Sequence, residues 1–311
     1  MLSEEMHIAA IALGTAMVLS FVLFSNPVVS AHTFSENENA LFLTMIDKIK
    51  AETQLVSNYF SNNTQQAQEH AKIAAGLLTQ SDPVVNTTWT SEISERNPRV
   101  ANDLLGSLND LKTTIASPSS NSNSSSVQSK VTNIGNLLDE AVSVRISKDI
   151  INNPKTQALV LANLGNEIYN NYGIAVGLPP STIASMGGMS MPGMNVSNKV
   201  SSMNMNSSSG MSGMNSMSGP AVMNQSNPQI KNITAYETAR SLASIAQQTF
   251  SKDLKPIAPA NATSSTANIG KYVDQLKNAV NSKASFMGIM ELVHVKLHPT
   301  MIAAYNLTTE H

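Results

Sequence analysis

The sequence predicts an all-α fold: an exported helical bundle of about seven helices, interrupted by a long disordered loop rich in Met, Ser and Asn. Three observations predict it. Apolar residues recur at spacings of three and four through most of the chain, as they do in helices that bury one face. That pattern stops between residues 177 and 228, where Ser, Asn, Gly and Met follow one another with almost no charge. Such a stretch buries too little apolar surface to offset its chain entropy. Finally, residues 7–24, HIAAIALGTAMVLSFVLF, carry no charge after their first residue.

That first run would span about 27 Å as a helix, close to the thickness of a bilayer core. Ser25-Asn26-Pro27 ends it, and Val29 and Ala31 follow at the −3 and −1 positions of a signal-peptidase site. Residues 1–31 are therefore read as a signal peptide or an N-terminal membrane anchor. Either one exports the rest, so the expected location is extracytoplasmic, secreted or held to the outer face of the cytoplasmic membrane. Glu4 and Glu5 stand before the run with no Lys or Arg, so loop charge gives no orientation. Sequons at Asn62, Asn86, Asn123, Asn195, Asn206, Asn224, Asn232, Asn261 and Asn306 are compatible with export. A chain this rich in Asn and Ser also produces them by chance.

The helical parts follow. Phe42, Met45, Ile46, Ile49, Val56 and Tyr59 share helical spacing behind Ser35-x-x-Glu38, a capping box. Residues 71–78, AKIAAGLL, read as a second helix. Val100, Leu104, Leu108, Leu111 and Ile115 form a stripe that starts after Asn97-Pro98, a cap followed by Pro at the first helical position. Residues 117–126 read as a loop, and Val127, Val131, Ile134 and Leu138 form the next stripe. Asn153-Pro154 repeats the start signal ahead of Leu161, Leu164, Ile168 and Tyr172. Beyond the loop, Thr234-x-x-Glu237 reads as a second capping box, before Tyr236, Ala239, Ala243 and Phe250. Pro256 and Pro259 break the chain. Ile269, Val273, Leu276 and Val280 mark another helix, and a denser one runs from about 284 to 306. The expected organisation is residues 1–31 as signal or anchor, 32–176 as the first helical part, 177–228 as the Met-rich segment, and 229–311 as a second helical part docked on the first. That second part is short and poor in aromatics, so alone it would have a thin core.

Composition excludes several functions. The chain has no cysteine, which removes disulfides, thiolate metal sites and cysteine nucleophiles. Its net charge is −2 with no basic stripe, so nucleic acid is not an expected partner. No G-x-S-x-G, H-E-x-x-H, phosphate-binding loop or dinucleotide fingerprint occurs, and the chain is not read as an enzyme.

What remains is the methionines. Ten of the seventeen lie between residues 186 and 223: Met186, Met189, Met191, Met194, Met203, Met205, Met211, Met214, Met217 and Met223. Gaps of two or three dominate. A thioether is soft, uncharged and does not titrate, and it selects Cu(I) over hard ions. Gly and Ser spacers permit the tight turns that would bring three sulfurs onto one ion. The stretches MGGMSMPGM and GMSGMNSM resemble the Met-rich segments of extracytoplasmic copper-handling proteins. Those include the extracellular tails of high-affinity copper uptake transporters and the Met-rich inserts of periplasmic multicopper oxidases. The resemblance is one of composition, identifies no family, and implies weak Cu(I) capture. It departs from such segments in having no interleaved His. Two other readings stay open: a low-complexity spacer, and an oxidant sink in which exposed Met becomes sulfoxide.

A second candidate lies in MGIMELVHVKLHPTM. At an α-helical 100° per residue, Met287, Glu291, His294, His298, Met301 and Tyr305 fall on one face beside the apolar stripe of Phe286, Met290, Val293 and Leu297. His294 and His298 at i, i+4 can chelate one ion, and Glu291 stands three residues before His294. Pro299 is expected to disturb the helix there, and His70 is a candidate ligand from another helix. Cleavage after Ala31 would also leave His32 first in the chain, where its amine and imidazole could chelate copper. The expected function is extracytoplasmic binding, buffering or delivery of Cu(I), with a copper donor or acceptor protein as partner and the membrane as a second partner if residues 1–31 are retained. The alternative is a cell-surface structural or interaction protein, a helical ectodomain with a glycosylated spacer.

Overall fold

The computed structural model describes residues 33–34, 38–82, 87–117, 123–187, 228–307 and 309–310. Among them the fold is all-α. The N-terminal span, His32, the first capping serine and methionines 189 to 223 lie outside the described residues. Within them, no helix is long and apolar enough to cross a membrane.

Helices α1 (Glu38–Tyr59), α2 (Thr64–Thr79), α3 (Trp89–Arg96), α4 (Pro98–Ala116) and α5 (Ser124–Arg145) surround one apolar core. The start signals of α4 work as the sequence predicts: the Asn97 side chain accepts from the Val100 N–H, and Pro98 occupies the first turn. Helix α5 takes Ser124–Ser126 out of the expected loop. Asn123 and Ser126 cap each other there, each side chain accepting from the other's backbone N–H. Arg145 ties this half together. Its side chain is 4% exposed, pairs with Glu92 at 3.4 Å, donates to Asn39 and lies 4.6 Å over the Phe42 ring. Short α6 (Lys148–Ile151) then leads into α7 (Pro154–Ala175), capped by Asn153.

Helix α7 changes the expected partition. The sequence places it with the first part, but its side chains Leu161, Leu164, Ile168 and Tyr172 belong to the core of the C-terminal helices. Those are α9 (Ile233–Gln248), α10 (Thr263–Asn281), α11 (Phe286–Met290) and α12 (His298–Tyr305). Helix α9 packs on α7 and α1. Helix α1 presents Phe42, Ile46 and Ile49 to one core and Ala40 and Ala51 to the other, which is why it is apolar over so wide an arc. The cap of α9 is Asn232, which accepts from the Ala235 N–H. Thr234 of the expected capping box donates instead to Gln66, and Glu237 pairs with Arg240.

Two π-helical stretches interrupt this half. Thr249–Leu254 continues α9, before the 3₁₀ turns Lys255–Ile257 and Ala260–Ala262 at the two prolines. Glu291–Leu297 joins α11 to α12. Two antiparallel two-residue pairs complete the fold. β1 (Thr33–Phe34) pairs with β4 (Thr309–Glu310), and β2 (Ser81–Asp82) with β3 (Thr87–Thr88).

Candidate functional site

Pro299 is retained inside a continuous helix because the turn before it is wider. Across Glu291–Leu297 the bonds run i to i+5, and the His298 N–H reaches Val293. A widened turn absorbs a proline that would break the regular ladder. It also turns the helix face, since each residue then advances by fewer degrees. The expected common face therefore splits. Met287 is 50% exposed, His294 is half-buried, and His298, Met301 and Tyr305 are buried. Glu291 faces outward, 2.9 Å from Lys296, a pairing at i, i+5 that an α-helix would hold apart. Glu291 thus does not join the histidines, and no group of three His, Asp or Glu that could hold a metal occurs among the described residues. His70 is elsewhere. It is buried against Glu52 at 2.7 Å and stacks on Tyr59.

The structure does bring His294 and His298 together. Their rings meet edge to face with centroids 5.2 Å apart. His298 Nε2 donates to the Ala162 carbonyl at 3.1 Å, since a carbonyl can only accept. A neutral ring bonded this way would carry its lone pair on Nδ1, the arrangement in which a second-nitrogen bond orients a metal ligand. Gly165 of α7 makes the space: a Cβ there would lie 3.3 Å from His298 Nε2.

A further helix, α8 (Pro180–Gly187), was hidden in the sequence. The sequence places the start of the disordered segment at 177, yet Pro180–Gly187 is helical. Gly177, at φ +83°, turns it out of α7. Tyr169 holds α8 by donating to the Ile183 carbonyl at 2.8 Å, and burial pushes its phenol up to about 12. The same Tyr169 ring stands edge-on to His294 at 4.6 Å. Met186 packs partly buried on this core, so the first residue of the methionine array has a packing role. A Cβ on Gly187 would sit 3.6 Å from His294 Nε2. The last described residue of this stretch thus stands beside His294. The described chain resumes at 228, and the Lys231 and Asn232 N–H groups both donate to the Ala175 carbonyl at the end of α7. Met189, Met191, Met194, Met203, Met205, Met211, Met214 and Met217 lie outside the described residues.

Sequence reading missed a second group. A cavity of about 490 Å³ opens between α1, α5, α6, α7 and the first π-helical stretch. Asp47, Lys50, Asp139, Lys148 and Asp253 reach it from four of these segments. Burial, with Asp253 and Asp139 near, pushes the Asp47 carboxyl up to about 7 against the opposing pull of Lys50. Burial likewise raises Asp253. The only sequence sign is Asp47 on the border of an apolar stripe. No protein family, curated protein or solved structure matches the chain.

Proposed function

We propose that this is an extracytoplasmic protein that captures and buffers or delivers Cu(I) on its methionine array. In this reading residues 1–31 export the chain, and the helices on either side of the array form the scaffold that presents it. What supports the reading is the root of the array. Gly187 stands against His294, and two further residues reach at most about 7 Å, so the Met189 thioether can approach the imidazole of His294. Cu(I) accepts three or four soft donors, and imidazole with thioether is such a set. His294 and His298 would then receive ions collected along the array. Glu291, paired with Lys296, takes no part.

The test is a Cu(I) titration of the whole chain, anaerobic and reduced, against a competing chromophoric chelator. The wild type should bind more than one ion, tighter than about millimolar. Changing Met189 through Met217 to Leu should abolish this binding, and His294→Ala with His298→Ala should remove only the last site. Absence of binding at millimolar Cu(I) in the wild type would end the proposal.

A further inference from the structure

The cavity beside Asp47 belongs to no part of the copper reading, and its lining has a definite chemistry. Its walls are aliphatic: Ile46, Val142, Ile146, Ile151 and Val160. Ile146 and Val160 are at most 3% exposed, and Gln157 is committed to the Ile151 carbonyl at 2.7 Å. Charged groups line the same cavity. Asp139 is held by Lys50 at 2.7 Å. Among the described residues, Asp47 and Asp253 make no hydrogen bond or ion pair. Three carboxyl groups face two ammonium groups, Lys50 and Lys148, so one negative charge is left over once all three are ionised.

An aliphatic space of this volume with one uncompensated carboxylate on its wall suits a small ligand with a hydrocarbon body and a single positive end. A bare divalent ion fits less well, because these carboxylates do not converge into a group that could hold a metal. An anion would meet the excess negative charge. We infer that this cavity binds a primary alkylammonium, its hydrocarbon part against Ile146, Ile151 and Val160 and its ammonium donating to the Asp47 carboxylate. Burial is the main cause that raises the Asp47 carboxyl, and the facing charges adjust it. Lys50 on α1 favours the Asp47 carboxylate, while Asp139 on α5 and Asp253 on the π-helical stretch disfavour it. Lys148 on α6 stands at the exposed rim. Near neutral pH part of the population carries a proton on Asp47, so an arriving ammonium displaces it and binding releases protons.

The experiment is calorimetric titration of the full chain with hexylammonium chloride, in two buffers of different ionisation enthalpy. Saturable binding in the millimolar range or tighter is expected, with proton release at pH 6.5 that fades by pH 8.5. 1-Hexanol, which keeps the hydrocarbon and lacks the charge, should bind at least tenfold more weakly. Asp47→Asn should weaken hexylammonium tenfold or more. Ser143→Trp, an exposed position on the cavity wall, should block binding with Asp47 intact. Equal affinity for hexanol, full binding by either folded variant, or displacement of the amine by equimolar Mg²⁺ would each overturn the inference. So would failure of the wild type to saturate.

Discussion

Asp47→Asn removes a carboxyl whose neutral form the fold favours and replaces it with a group that never ionises. In the folded chain this carboxyl titrates near 7, against 3.8 ordinarily. The sign follows from proton counting. Between these two values the folded state holds a proton that the unfolded chain has lost, so wild-type stability falls as pH rises through that window. Above about 7 the charge is carried in both states and the loss is complete. Each pKa unit corresponds to about 1.4 kcal/mol, which puts the full penalty at up to about 4 kcal/mol. Water in the open cavity screens part of it, leaving about 1–4 kcal/mol. The asparagine variant should therefore be more stable than wild type, by a margin that grows between pH 5 and pH 8.5 by up to about 3 kcal/mol. Urea unfolding followed by far-ultraviolet circular dichroism at the two pH values measures it. A margin equal at both, or larger at pH 5, would refute the reasoning, because Asp47 would then titrate like an ordinary surface carboxylate.

Two further outcomes follow from the packing. Glu52 is 1% exposed and accepts from His70 Nδ1 and from Thr238 Oγ1, each at 2.7 Å, so it joins α1 to α2 and α9. Glu52→Gln should lower stability by about 2–4 kcal/mol in thermal or urea unfolding, since a buried donor loses its acceptor, and a change under about 0.5 kcal/mol would contradict that role. The two glycines around α8 should behave oppositely. A Cβ on Gly173 would lie 2.6 Å from Ile183 Cδ1, whereas one on Gly187 would meet ordinary contacts at 3.4–3.7 Å. Gly173→Ala should cost about 1–3 kcal/mol and raise hydrogen exchange across residues 180–187, while Gly187→Ala should do neither.

Much of the fold was legible because it is built from local rules. The Asn97-Pro98 and Asn153-Pro154 starts and the stripes of α4, α5, α7 and α10 each depend on residues within a few turns of one another. Helix α8 was not legible. PSTIASMG reads as the edge of a low-complexity segment, and it is ordered by Tyr169 and by the missing Cβ of Gly173, both on α7. The His294 face was half legible. Spacing placed the two histidines together, but arithmetic at a constant angle could not foresee the widened turn ahead of Pro299, which sends Glu291 outward to Lys296. The Asp47 cavity left almost no trace, since its charged groups come from segments far apart in the chain.

By itself, then, the sequence determined the helical class, the places where the main helices start, and a cysteine-free chemistry in which the only clustered soft donors are methionine sulfurs. Those properties belong to single residues or to neighbours along the chain. Tertiary structure alone decided that α7 shares its core with the C-terminal helices, that Gly187 stands beside His294, and that burial raises the Asp47 carboxyl to about 7. The reason is the same in each case. Burial, and the distance between groups remote in sequence, exist only once the helices have packed.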